Sequence, residues 1–252
     1  MIVVPKESSF LLVTQPDHAH LAGEILSLWR ADGLPDNPRR DDLLFAAREH
    51  DNGWREADAA PRWDAERGRP HDFITLPARE RIAVWERGVC RFAAARPYAS
   101  LLIARHALNL FGGRRGEEEW DRLLDFLADF ENGLIEQTGV EPETLEEDYR
   151  WLDLADQISL AACAQWREPA GRYGVRIVPG PADDAKNGIG IAPFPLAGAT
   201  TFRIACRRIP RRAYGGDADL GGELAAARWE ERAVRIVEIS EASEISEVSP
   251  AR

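Results

Sequence analysis

The chain has 252 residues, 44 % of them hydrophobic, which is enough for one large domain or for one domain with an appendage. Its formal net charge of −11 argues against a nucleic-acid backbone as a general partner, and no apolar run is long enough to span a bilayer. Residues 1–10 lack the basic and apolar regions of a signal peptide, and Cys90, Cys163 and Cys206 lie too far apart for a zinc knuckle or a disulfide framework, so a reduced, cytoplasmic setting is expected.

Ile2-Val3-Val4 and Phe10-Leu11-Leu12-Val13 read as the strands of a hairpin. Thr14 to Asp17 then offers caps for a first helix running to about Ala31. Pro35 and Pro38 mark a loop, followed by a second helix from about Asp41 to Asp51. A long loop through Pro61, Gly68 and Pro70 leads to a third helix that begins near Pro77 and ends before Pro97. The fourth spans Tyr98 to Phe111, the fifth Glu117 to Thr138, and the sixth Pro142 to Trp166.

Beyond these come short strand-like runs at 175–178, 189–192, 201–206 and 234–239, with a helix predicted over 219–232. The expected fold is mainly α: a bundle of about six helices with an N-terminal hairpin over 1–168, a small α+β region over 169–239, and a solvated acidic tail over 240–252. The lone Gly-x-Gly at 188–190 is too weak a signal for a phosphate loop, and a strand turn explains it.

The inward stripes of the helices carry the functional signal. The third (Ile82, Trp85, Val89, Phe92) and the fifth (Trp120, Leu123, Leu127, Phe130, Leu134) are apolar throughout. The first aligns His18 with Leu21, Ala22, Ile25 and Trp29, while His20 shares a face with Glu24 and Ser27. The second aligns His50 with Leu43, Ala47 and Trp54, with Asp51 beside it. The fourth aligns His106 with Leu102 and Leu110, and the sixth aligns Asp156 with Tyr149, Leu152, Ser159 and Cys163. Asp153 falls instead on a polar face with Glu146 and Arg150.

A single inward His is usually a hydrogen-bonded core residue, and a single inward Asp usually a cap or an Arg partner. Three His and two Asp converging from four helices are better explained by a bound ion, because buried carboxylates cost several kcal/mol or more unless paired or metal-bound. Such a mixed nitrogen and oxygen set suits manganese, iron, magnesium or zinc.

These residues also carry a resemblance. A His on an early helix, an adjacent His-Asp pair and a distant Asp on a later helix, here His18, His50-Asp51 and Asp156, resemble the HD-domain superfamily of metal-dependent phosphohydrolases. The runs Thr14-Gln15-Pro16-Asp17-His18-Ala19, His50-Asp51-Asn52-Gly53-Trp54-Arg55-Glu56 and Pro70-His71-Asp72-Phe73 look like an uncharacterised bacterial family of unknown function, DUF3891, itself similar to HD proteins. The helix holding Arg105-His106 and the run Arg208-Ile209-Pro210 extend the likeness over most of the chain.

The resemblance implies an HD-like helical fold and a divalent metal held by His18, His50, Asp51 and Asp156. His106 would be a further ligand or a contact to a substrate phosphate, while Asp72, His71 and Asp17 would support the ligands or hold a second ion. With only five His in all, a full second site is not expected.

The expected activity is hydrolysis of a small phosphorylated molecule or nucleotide. Asp51 and His106 would act in catalysis, and Arg55 and Arg105 would contact the anionic substrate. Two alternatives stand beside it: a di-iron oxygenase, in which His71 and His106 hold a second iron, and a non-catalytic metal- or ligand-binding module.

Overall fold

In the computed structural model, which describes residues 1–31, 33–179 and 188–239, strands β1 (Ile2–Pro5) and β2 (Ser9–Val13) form the expected hairpin. From Ile2 to Val4 and from Phe10 to Val13 the runs are apolar without alternation because both faces are covered. Ile2, Leu11 and Val13 enter the main core, whereas Met1, Val3, Phe10 and Leu12 enter a second, smaller one.

Helices α1 (Gln15–Ser27), α2 (Arg40–Glu49) and α3 (Arg55–Ala59) follow, then a two-stranded ribbon of β3 (Trp63–Asp64) and β4 (Arg69–Pro70). This ribbon and α3 lie where a long loop was expected. The chain continues through α4 (Ala78–Cys90), α5 (Pro97–Phe111), α6 (Glu118–Thr138) and α7 (Pro142–Ala164). The last part holds β5 (Ala170–Arg172), β6 (Val175–Pro179), β7 (Gly188–Ala192), β8 (Thr200–Pro210), α8 (Asp217–Ala226) and β9 (Trp229–Glu238). The helix predicted over 219–232 therefore stops early, and its last residues belong to β9. Gly188 and Gly190 lie within β7 rather than in a turn. The tail expected to be solvated, 240–252, lies outside the described residues.

The expectation of a mainly α fold, an HD-like bundle with an appended hairpin and a small α+β region, is overturned. Among the described residues the N-terminal hairpin and the C-terminal strands make one seven-stranded sheet of order β1-β2-β8-β9-β7-β6-β5. The joint is the antiparallel pairing of β2 with β8, from Ser9 opposite Pro210 to Leu12 opposite Arg207. The other pairings are antiparallel except that of β7 with β9. The molecule is thus a substantial α/β structure.

Helices α1 and α7 pack on the sheet, and α2, α5, α4 and α6 build outward from them. The main core fills this space, with Trp29 set edge-on to Trp151 at 5.7 Å. Helix α8 covers the opposite face at the β1-β2-β8 end, where Leu220 and Leu224 meet Phe10, Leu12 and Ile209. Each large side chain fully buried in this way contributes about 1.5–3 kcal/mol. None of the described helices is long and apolar enough to cross a membrane.

Candidate metal centre

The start of α1 is fixed by local chemistry. Thr14 accepts the Asp17 N–H at 3.1 Å, and Pro16 occupies the first turn, where its missing N–H costs nothing. The Gln15 N–H donates to buried Asp58 at 2.6 Å, and the other oxygen of Asp58 takes the Met1 amine. Helix α3 thereby anchors the turn that precedes His18. Asp17, considered above as a supporting or second-metal residue, serves as a capping partner of Thr14.

The second ligand segment is shaped by a glycine. Helix α2 ends at Glu49, so His50 and Asp51 lie between it and a tight turn, Asn52–Trp54. A Cβ on Gly53 would sit 2.1 Å from the Val84 carbonyl oxygen and 3.0 Å from Gly88 Cα. Only glycine allows this backbone-to-backbone approach to α4. Asn52 Nδ2 ties the turn down by donating to the carbonyls of Glu49 (2.8 Å) and Gly88 (3.0 Å). Arg87 and Arg91 add donations to the carbonyls of Gly53 and Asn52.

Four side chains then converge. His18 Nε2 lies 3.0 Å from Asp156 Oδ1 and 3.5 Å from Asp51 Oδ2. His50 Nε2 lies 3.2 Å from Asp156 Oδ1, 3.5 Å from Asp51 Oδ2 and 3.2 Å from His18 Nε2. The outer nitrogens set the tautomers. His50 Nδ1 donates to the Ala47 carbonyl at 2.8 Å. Ser159 Oγ gives its one proton to the Asp156 carbonyl at 2.9 Å, so it accepts from His18 Nδ1 at 2.8 Å. In the neutral rings both Nε2 lone pairs therefore face each other and two carboxylate oxygens. Four acceptors with no donor among them repel, and only a proton or a cation relieves this. The set fits a divalent ion with nitrogen and oxygen ligands.

The electrostatics of the ion-free cluster follow. Burial opposes charge on both imidazoles, but the carboxylates outweigh it. Asp156 and Asp51 hold His18 well above its ordinary value, and they raise His50 to about 9. Burial likewise opposes charge on the two acids, yet the imidazoles keep both Asp51 and Asp156 far below the usual carboxylate range. His106 behaves differently. Burial drives it down to about 4, leaving it neutral, with Nε2 3.8 Å from Asp156 Oδ2 and Nδ1 3.3 Å from the Tyr149 hydroxyl.

His18, Asp51, Asp156 and His106 open onto a cavity of about 190 Å³, and His50 sits behind them. Its walls are largely apolar, with Trp54, Phe73, Trp85, Phe111 and Leu160 among them. A larger groove of about 470 Å³ lies beside His20 on the outer face of α1 and α2, but none of the converging residues lines it.

Other expected residues are not brought to the cluster. Arg55 pairs with Glu49 at 2.5 Å, and Arg105 turns away to Glu131 at 2.8 Å. His71 lies beside Thr75 and Asp64, lining a separate small cavity. Asp72 pairs with Arg69 and caps its own turn through the N–H groups of Ile74 and Thr75. Asp153, expected on a polar face, is buried against Arg172.

Two helices read as wholly apolar on their inner faces also carry charge. Glu131 of α6 is buried, and Arg81 of α4 lines the cavity. Arg81 stands four residues before Trp85, a helical spacing that places the two on one face and could have flagged it.

No curated protein and no solved structure matches the chain. The family of proteins of unknown function DUF3891 matches residues 1–211, and the chain belongs to it.

Proposed function

We propose that this chain is a metal-dependent hydrolase of a small phosphate ester, similar in ligand order to the HD-domain phosphohydrolases. The observation that carries this reading is the convergence of four acceptor atoms, from His18, His50, Asp51 and Asp156, beneath a cavity. The cofactor proposed is one divalent ion, and manganese, iron, magnesium and zinc all suit the ligand set. When bound, such an ion supplies a Lewis acid and lowers the pKa of a coordinated water.

The chain's own residues supply the rest. Asp51, held ionised, faces the cavity and is the acceptor that orients the attacking water. The water oxygen forms a bond to phosphorus, the ester P–O bond breaks, and the alcohol leaves with a proton. Neutral His106 is a hydrogen-bond partner for a phosphoryl or leaving oxygen. Trp54, Trp85 and Phe111 keep bulk water from the cluster.

The di-iron alternative asks His71 to join His106 around a second ion. The separate cavity that His71 lines favours hydrolysis over that alternative.

The test is elemental analysis of the purified chain at near-native loading, followed by a phosphatase and nucleotidase screen. About one ion per chain and ester turnover abolished in His50→Ala and Asp51→Ala are expected. Turnover unaffected by both substitutions would end the hydrolase reading, and tight metal binding without any turnover would favour a binding module.

A further inference from the structure

Several residues that line the cavity above the cluster carry buried polar atoms without a partner. The side-chain polar atoms Gln15 Oε1, Trp54 Nε1, Trp85 Nε1 and Arg81 Nε are all buried without a hydrogen-bond partner, and all four residues line this one cavity. Gln15 is 3 %, Trp54 3 % and Trp85 4 % exposed, so bulk water does not satisfy them. Native interiors rarely leave such groups unpaired, and a cluster of them in one place calls for an explanation. Among the described residues no carboxylate comes within ion-pairing distance of Arg81, whose guanidinium lies over the Trp120 ring at 4.9 Å. Arg55 and Arg105, by contrast, are both paired.

Three of the four atoms are N–H donors, and the fourth belongs to an amide that can present either its oxygen or its nitrogen. Unpartnered donors on residues that line a cavity beside a cation-holding cluster, with the Arg81 guanidinium meeting no carboxylate among the described residues, are complementary to an anion with several oxygens once a bound group brings them into reach. The remaining wall is apolar, from Phe73, Ile74, Leu110, Phe111 and Leu160, and Ile74 and Leu110 are exposed at the surface. At about 190 Å³ the cavity falls below the roughly 300–1,000 Å³ of common small-molecule sites.

We infer that Trp54, Trp85 and Arg81, with Gln15, form an oxyanion subsite for the phosphoryl group of the substrate, and that the apolar wall takes a compact apolar ester group. The substrate class is thus a small apolar phosphate monoester rather than a nucleotide. This assignment rests on the hydrolase reading for its chemistry but predicts anion binding independently of turnover.

The experiment titrates inorganic phosphate, phenyl phosphate and acetate into the metal-loaded full chain. The wild type is compared with Trp85→Phe, Trp54→Phe, Arg81→Gln and Ile74→Ala. The Phe variants keep an aromatic ring but lose the indole N–H together with part of the ring volume. Arg81→Gln is therefore the variant that removes the charge and the guanidinium donors without an aromatic void, and metal content and Tm are measured in each. Phosphate binding weakened about tenfold or more in Trp85→Phe and Arg81→Gln, at unchanged metal content, is expected. Phenyl phosphate should bind more tightly than phosphate, and Ile74→Ala should erase that advantage while leaving phosphate binding as it was.

Phosphate binding equal to wild type in both Trp85→Phe and Arg81→Gln would overturn the subsite. Acetate binding as well as phosphate would overturn its phosphoryl assignment. Metal-dependent turnover with an unchanged KM in these variants leaves the hydrolase reading standing and removes the subsite. Phosphate binding that depends on Trp85 and Arg81 in a chain that turns over no ester does the reverse.

Discussion

The Nε2 atoms of His18 and His50 lie 3.2 Å apart, and in the neutral rings neither carries the proton. Without an ion, protonation relieves that clash, which makes the pH dependence of stability diagnostic. His50 is raised from 6.5 to about 9, so its contribution is fully present below about 6.5 and is lost as pH rises through about 9. Asp51 and Asp156 are lowered, so their contribution is present above about 3.8 and is lost as pH falls through their lower folded values. Metal binding has the opposite slope on the alkaline side, because it displaces the imidazole protons. The Tm of chelator-treated protein should therefore fall between about pH 6.5 and about pH 9 while that of metal-loaded protein holds or rises. Parallel curves over that window would show that no ion replaces the protons.

Ser159 sets the tautomer of His18 without touching the cavity. In Ser159→Ala, His18 Nδ1 loses its hydroxyl acceptor, keeping only the weaker Cys163 thiol nearby, and the ring is freer to move its proton to Nε2. Metal affinity should fall about 10–100-fold, the usual effect of removing a group that orients a ligand. Ser159→Thr, which retains the hydroxyl, should recover most of it. Competition with a chromophoric chelator measures this, and affinity in Ser159→Ala equal to wild type would refute the orienting role.

Much of the candidate site was legible because its signal is local. His18, His50 and Asp156 interrupt apolar stripes, and stripe position separates His18 from His20 without reference to any other segment. The sheet was not legible for the opposite reason. Ser9 pairs with Pro210, and nothing in the periodicity of either run names its partner. The unbroken apolar run of Phe10 to Val13 did hold a clue, since a hairpin with one solvated face alternates and this one does not. Arg81 was overlooked because the apolar residues around it satisfied the helix pattern, and a long side chain at the edge of a stripe still reaches the cavity. Glu131 escaped similarly, its charge being answered by Arg105 from a different helix.

That last pair yields a separation of stability from activity. Arg105 precedes His106 but points to Glu131, whose carboxyl burial already pushes upward. Arg105→Gln leaves Glu131 without its charge partner and should cost about 1–3 kcal/mol in chemical denaturation, with less effect at acidic pH, where Glu131 takes up a proton. If a phosphate ester is the substrate, KM should stay near wild type in this variant and rise in Arg81→Gln. A KM raised equally by both would return Arg105 to the substrate.

Gly53→Ala is the most stringent test of how the fold builds the site. The added Cβ meets the Val84 carbonyl oxygen at 2.1 Å, a backbone atom of α4 that no rotamer change can move. Either the Asn52–Trp54 turn or α4 must shift, and overpacking of this kind costs about 1–3 kcal/mol or more. The same displacement breaks the Asn52 bond to the Gly88 carbonyl and moves Asp51, which immediately precedes the turn. Loss of stability and loss of metal affinity should therefore appear together in Gly53→Ala. In Gly133→Ala on α6, where nothing lies within 4 Å of the added carbon, neither should occur, and helix propensity favours a small gain. Gly53→Ala protein that melts lower yet binds metal as tightly as wild type would mean that the turn supports the fold without positioning Asp51.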